Sequence, residues 1–328
     1  MVSAVALLIF NRPELTAEVF REIAAARPPR LFVIADGPRV GHPDDEQNCA
    51  AARAVVKRVE WPCRVERNYS DVNLGCGARP AMGIDWVFEQ VEEAIILEDD
   101  CLPHPTFFRY CDELLERYRA DERIMNISGT DWRFDRKRPH DSYRFSMFNI
   151  TWGWASWRRA WRHYDRSVRK WPEVRDTPWL ETQLKDARAA DMFRQAFERA
   201  YAAKGEVDYW DYQWTFACWS RNGLSILPNV SLVSNLGFGP SATHTTGTSD
   251  IRATVQRGAM RFPLEHPSFV APDQRADRHI VEQVIWPQLG VSNARGRPLS
   301  RLATLAPSYW RRRAARLVDR LRNVRDPP

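Results

Sequence analysis

The sharpest chemical signal in this 328-residue sequence is a run of three carboxylates, Glu98-Asp99-Asp100, placed directly after the apolar tetrapeptide Ala94-Ile95-Ile96-Leu97. Adjacent carboxylates repel one another, and a hard divalent cation among their oxygens, manganese or magnesium, relieves that cost. A solvated acidic turn is the plainer explanation of such a triplet, but its place at the carboxyl end of a predicted strand, where α/β sheets bind ligands, favours the metal site. Alternate residues of an extended segment point the same way, so Glu98 and Asp100 share one face and Asp99 takes the other. Gly75-Cys76-Gly77 is not a dinucleotide fingerprint, because Pro80 stands in place of the third glycine, and it reads as a backbone turn. The sequence has no G-x-x-x-x-G-K-[ST] phosphate loop and no G-x-S-x-G nucleophile elbow, so ATP and ester hydrolysis lose support. Its six cysteines show no C-x-x-C spacing, which argues against zinc and a disulfide scaffold and for a reducing, cytoplasmic setting.

The acids need a scaffold, and the apolar pattern supplies one. Residues 4–10 read as a buried strand stopped by Asn11-Arg12-Pro13, Leu15, Val19, Phe20 and Ile23 recur at helical spacing, and Leu31–Ala35 forms a second strand ending at Asp36-Gly37-Pro38. The unit repeats with a strand near Arg64–Asn68, a helix from about Arg79 to Val91 and the strand at 94–97. Strands alternating with helices predict an α/β fold with a mostly parallel central sheet. Ten of the fourteen tryptophans fall between Trp132 and Trp219, in a half that also holds predicted helices at 184–203 and 211–221 and a strand at 224–233. No apolar stretch approaches the ~20 residues of a membrane helix, and no export signal is visible. The formal charge of +6 is concentrated between Pro307 and Pro328, where seven arginines face two aspartates. The body lacks a basic stripe, so no nucleic-acid partner is expected. The tail reads as a basic amphipathic helix suited to peripheral contact with an anionic membrane face, or equally as a solvated terminal helix.

The run from Ile95 to Phe108 resembles the metal-binding segment of the N-acetylglucosaminyltransferase I type of glycosyltransferase, which has the nucleotide-sugar-binding GT-A fold. Further motifs follow in that family's order across roughly residues 4–247. The strand ends at Asn11-Arg12-Pro13 and Ala35-Asp36-Gly37 resemble its nucleotide-binding strand ends. Trp152-Gly153-Trp154 resembles its acceptor-side loop, and Tyr209–Trp214 is similar to its catalytic segment. Ile226–Ser231, with Gly237 and His244, resembles its closing strand and loop. A looser likeness to inverting family 2 glycosyltransferases covers the first 130 residues. The resemblance implies that Asp100 binds the metal, with His244 reaching the metal or a phosphate, and that Glu98 and Asp99 lie near the ribose and donor sugar. It also implies that Phe10, Asn11, Arg12 and Asp36 meet the nucleotide, that Arg79 stands at a phosphate- or base-contacting position although the residue type differs, and that Asp211 is the general base. The family segment carries two adjacent acids where this sequence continues with Tyr212 and Gln213, so Asp208 is a rival base.

The chemistry agrees with these roles. A nucleoside diphosphate leaves readily only when its growing charge is neutralised, and a cation held by one or two carboxylates does this. Across the anomeric carbon an acceptor hydroxyl must lose a proton, and a carboxylate within ~2.6–3.2 Å accepts it. Asp211, flanked by Trp210, Tyr212 and Trp214, is expected in a partly dry pocket that raises its basicity. Tryptophans are more often core residues, but four within ten positions around Gly153 suggest a face offered to a sugar, with Trp154 the first choice and Trp152 and Trp210 beside it. The expected function is therefore an inverting, metal-dependent transfer of a sugar from a nucleotide donor, UDP-linked, to a carbohydrate or lipid-linked glycan hydroxyl. A sugar nucleotidyltransferase, a glycoside hydrolase and a non-catalytic carbohydrate-binding component are the alternatives. The expected organisation is a catalytic domain over 1–248, with a nucleotide half at 1–130 and an acceptor half at 131–248, and a C-terminal extension over 249–328.

Overall fold

The computed structural model describes residues 3–132, 140–238 and 250–289. The chain divides into two compact units between His279 and Ile280. Residues 250–279, expected to open a C-terminal extension, are therefore part of the first unit, and buried charge explains why. The Arg144 guanidinium donates to both carboxylate oxygens of Asp131 at 3.0 Å and to Asp277 at 2.8 Å, and Asp277 also accepts from Ser146 Oγ at 2.6 Å. Truncating one member of such a buried set strands its partners, at a cost of ~3–5 kcal/mol. In the second unit the described residues form a π-helical stretch at Val281–Ile285 followed by a short helix at Trp286–Gln288.

The first half of the larger unit follows the strand and helix alternation of its sequence. Strands β1 (Val5–Ile9), β2 (Arg30–Ala35), β3 (Arg64–Tyr69) and β4 (Glu93–Glu98) alternate with helices α1 (Pro13–Ala26), α2 (Asp45–Val55) and α3 (Gly75–Phe88). Pro13 opens α1, where its missing N–H costs nothing, and Thr16, Val19, Phe20 and Ile23 make its buried face. β1 is apolar throughout because β2 and β4 flank it and it is buried on both faces. Charged β3 takes the edge. Helix α2, which no apolar period announces, packs on α1.

After β4 come β5 (Cys101–Pro103), α4 (Thr106–Arg117), β6 (Ile124–Ser128), β7 (Tyr143–Ser146) and β8 (Trp154–Trp157). Helices α5 (Arg158–Trp161), α6 (Trp171–Val174), α7 (Trp179–Leu184), α8 (Ala187–Ala202) and α9 (Asp211–Trp219) follow, then β9 (Leu224–Pro228) and β10 (Val233–Asn235). The main sheet has the order β3-β2-β1-β4-β8-β6-β9-β7, and β5 and β10 form a separate antiparallel pair. From β3 to β4 every pairing is parallel, as expected, but β8 runs antiparallel to both β4 and β6, and β7 antiparallel to β9. The fold is thus α/β, with a mixed central sheet, eight-stranded among the described residues, flanked by helices.

Register decides what meets at the sheet edge. Leu8 lies opposite Glu98 and Ile9 opposite Ala35, so Phe10-Asn11-Arg12, Asp36 and Asp99-Asp100 all emerge together. Because β8 enters the sheet in reverse, with Trp154 opposite Ile96, the preceding Trp152-Gly153 lies at that same edge. Among the described residues no helix is long and apolar enough to cross a membrane.

Candidate active site

Asp99 is almost fully buried, and both its oxygens are engaged: Oδ2 accepts from the Phe10 N–H at 3.1 Å and Oδ1 from the Arg12 guanidinium. The other arm of that guanidinium reaches Asp100 Oδ2 at 3.0 Å. Burial disfavours the Arg12 charge, but Asp99 and Asp100 more than compensate, and Arg12 stays firmly protonated. One guanidinium faces three carboxylates, and the excess of negative charge shows at Glu98 and Asp99. Burial, then the charges of Asp100 and Asp99, push Glu98 up to about 8, and burial pushes Asp99 up to about 6 against the pull of Arg12. The charge of Asp211 also raises Glu98, as the smallest of these causes. The backbone of Asp100 is held by the Leu236 N–H, which donates to its carbonyl at 2.7 Å.

Among the described residues no group of three or more His, Cys, Asp or Glu side chains is placed to hold a metal ion. The negative charge at the end of β4 is only partly neutralised by Arg12, and Asp100 Oδ1 accepts only a long bond, from the Cys101 thiol at 3.4 Å. Magnesium and manganese use one or two carboxylates and complete their shell with water and phosphate oxygens.

Several expected nucleotide contacts have structural occupations. Asp36 is buried; its Oδ1 accepts from Gly37 N and Leu74 N, both at 2.9 Å, and its Oδ2 from Gly75 N at 3.0 Å and Asn73 Nδ2 at 3.1 Å. A carboxylate has about four acceptor sites, so this one is filled by the loop it anchors. Arg79 is buried in α3, where its Nε donates to the Ala35 carbonyl at 3.2 Å and its Nη2 to the Asn68 side chain at 2.8 Å, bracing the ends of β2 and β3. Burial lowers its pKa. Asn11 donates to Asp45 Oδ1 at 2.6 Å, and Asp45 is also gripped by Arg39 Nε at 2.6 Å. Arg39 in turn covers the Phe10 ring at 5.4 Å. Sequence reasoning missed Arg39 and Asp45; the polar start of α2 was the one available sign.

The tryptophans divide. Trp154 is fully buried between Trp210, stacked at 5.8 Å, Trp161 at 6.0 Å and Trp214 at 5.8 Å. Trp210 is 5% exposed. Neither has a face for a sugar, which corrects the expectation for both: they form the core beneath α9. Trp152 is half-buried, edge-on to Trp132 at 5.3 Å and Phe238 at 5.4 Å, and these two aromatic neighbours were not anticipated. Asp211, the first residue of α9, and Asp208 are both exposed, so the dry pocket expected for Asp211 is not observed. His244 and the tail at 307–328 lie outside the described residues.

No family model matches the chain, and no curated protein does. Solved structures with some likeness include S. aureus TarS 1–349, at 11% identity over 48% of this chain and 47% of that one, with a TM-score of 0.33. A 4-diphosphocytidyl-2C-methyl-D-erythritol synthase from Anaerococcus prevotii aligns at 7% identity over 68% and 87% of the two chains, with a TM-score of 0.35. Mouse xyloside xylosyltransferase 1 aligns at 11% identity over 66% and 81%, with a TM-score of 0.32. The chain spans about half of the TarS fragment it matches. Likenesses this slight decide nothing about activity, which has to be argued from the chain's own geometry.

Proposed function

We propose that this chain is an inverting, divalent-metal-dependent glycosyltransferase with a GT-A-like fold, moving a sugar from a UDP-linked donor to a hydroxyl of a carbohydrate or lipid-linked glycan. The observation that supports the reading best is the sheet edge itself, where the ends of β1, β2 and β4 bring Arg12, Asp36, Asp99 and Asp100 together and the reversed β8 brings Trp152 to the same edge.

In this reading Asp100 would hold manganese or magnesium against the donor diphosphate, with Glu98 and Asp99 near the ribose and donor sugar. The cation supplies neutralisation of the leaving group's charge. Arg12 fixes the orientation of Asp99 and Asp100, while Phe10 and Asn11 line the nucleotide side. Asp36 and Arg79 act one step back, holding the loop and strand ends that frame it. Asp211 accepts the acceptor proton, with exposed Asp208 as the rival, and Trp152 with Trp132 and Phe238 forms the aromatic wall for a sugar ring. His244 completes the proposed metal or phosphate contacts, and the basic tail a peripheral membrane contact. A single displacement with a single base inverts the anomeric centre.

The test uses UDP-glucose, UDP-galactose and UDP-N-acetylglucosamine with and without manganese, reading thermal stabilisation and UDP release. Asp100→Ala is expected to lose metal-dependent binding. Asp211→Ala is expected to bind as wild type and to release no UDP. Near-wild-type turnover in Asp211→Ala would falsify the base assignment.

A further inference from the structure

We infer that the Gly75-Cys76-Gly77 turn is a gauge that sets where Asp208 and Asp211 stand relative to the carboxylates of β4, which makes Cys76 and Gly77 positioning residues for the removal of the acceptor proton. The inference rests on Asp211 as the base and names what holds it in place.

The turn opens α3 and is fixed on both sides. On the nucleotide side, the Asp36 carboxylate takes the backbone N–H groups of Leu74 and Gly75 and the Asn73 amide, and Asn73 Nδ2 also donates to the Gly37 carbonyl at 3.0 Å. The start of α3 is thereby tied to the end of β2. On the other side, Gly77 touches the segment that leads into α9. A Cβ at Gly77 would lie 1.9 Å from the Val207 carbonyl oxygen and 2.9 Å from the Tyr209 nitrogen, closer than any side chain can come. Cys76 Sγ donates to the Asp208 carbonyl at 3.1 Å. Two backbones thus lie in direct contact, with Asp208 between the contact points and Asp211 immediately beyond.

The far side of the segment is anchored as well. Tyr209 Oη donates to the Ala196 carbonyl of α8 at 2.8 Å, Gln213 Nε2 donates to the Tyr209 carbonyl at 3.0 Å, and Trp210 is stacked on Trp154. Residues 207–211 are thus held from two sides, by Cys76 and Gly77 at the start of α3 and by Ala196 of α8 and Trp154. Gly77 is therefore explained by close approach, since its position admits no side chain, and Gly75 by its φ of +80.

The experiment compares the full-length wild type, Gly77→Ala, Cys76→Ala, Cys76→Ser and Asp211→Ala. The readouts are the unfolding midpoint, manganese-dependent UDP binding, and kcat and KM for UDP release from the three UDP-sugars above, with water as acceptor. In Gly77→Ala the added methyl must push the 207–211 segment away. A catalytic group misplaced by ~1 Å costs on the order of 10²-fold, so kcat is expected to fall on that scale while UDP affinity and donor KM hold. Cys76→Ala is expected to lower kcat by roughly three- to tenfold, the worth of one hydrogen bond, and Cys76→Ser, which keeps a donor toward the Asp208 carbonyl, to recover most of it. If Gly77→Ala does not fold, the Cys76 pair decides alone.

Wild-type kcat in Gly77→Ala, an equal loss of UDP affinity and kcat, or indistinguishable rates in Cys76→Ala and wild type would each overturn the inference while an inactive Asp211→Ala leaves the base assignment standing. An active Asp211→Ala, or a wild type that releases UDP from none of the donors, overturns that assignment and this inference with it.

Discussion

Replacing Asp36 with Asn separates two roles for that residue, because the exchange keeps its shape and changes only what its oxygens can accept. Oδ1 serves Gly37 N and Leu74 N, and Oδ2 serves Gly75 N and Asn73 Nδ2. An Asn side chain has one oxygen and one NH2 group, so in either orientation two of those four donors face another donor. Each buried donor left without an acceptor costs ~1–3 kcal/mol, which puts the total at roughly 2–6 kcal/mol. Chemical unfolding in urea, followed by tryptophan fluorescence, is expected to show a loss in that range, with manganese-dependent UDP binding weakened only as far as the α3 turn loosens. An Asp36→Asn protein that loses less than ~1 kcal/mol yet binds UDP at least tenfold more weakly would refute this reasoning: the carboxylate would then be contacting the nucleotide directly.

The tryptophan division predicts that Trp154→Ala destabilises the protein by ~3–5 kcal/mol in the same unfolding assay, as truncation of a fully buried indole does. Trp152→Ala, altering a half-buried ring, is expected to cost less than half of that and to act on turnover through a raised acceptor KM; equal stability losses in the two variants would contradict the assignment. Asp45 supplies a pH prediction. Hydrogen bonds from Arg39 chiefly, with burial opposing, hold its carboxyl well below the usual carboxylate range. The unfolded chain therefore takes up the proton first as pH falls, so the stability due to Asp45 is complete above about pH 4 and is lost in more acid solution. Asp45→Asn should be less stable at neutral pH and show a shallower loss between about pH 4 and 2. Parallel curves for the two proteins would remove Arg39–Asp45 from the stability of the β1 end.

The parallel half of the sheet was legible because β1, β2 and β4 are apolar throughout and each stops at a turn signal, Asn11-Arg12-Pro13, Asp36-Gly37-Pro38 or the acidic triplet. Periodicity also found most of α1, α8 and α9. It missed α2, whose buried face consists of Asp45, Cys49 and Ala52 and so carries no strong apolar stripe. It placed the start of α3 at Arg79 rather than Gly75 because Gly-Cys-Gly reads as a turn, and in this chain that turn is the first turn of the helix. The acids of the site were visible as residue types. What they are paired with was not, since the partners of Asp99, Asp36 and Asp45 come from 1 to 89 positions away and the distant ones depend on register.

Trp152 and Trp154 show where residue type stops being informative. In an uninterrupted strand, residues two apart project from the same face, so both rings would share one environment. Gly153 between them has φ +58, outside the extended region and open to glycine at little cost, and its carbonyl accepts from the Gly129 N–H at 2.7 Å. The alternation of β8 therefore begins only at Trp154, which turns into the core against Trp210 and Trp214, while Trp152 is left in the loop at the ligand edge beside Trp132 and Phe238. One backbone angle thus separates a structural tryptophan from a candidate sugar platform. A Gly153→Ala variant would strain that angle and press its methyl on Val233, 2.7 Å away, so it is expected to lower the unfolding midpoint as well as to displace Trp152; an unchanged midpoint would contradict the account.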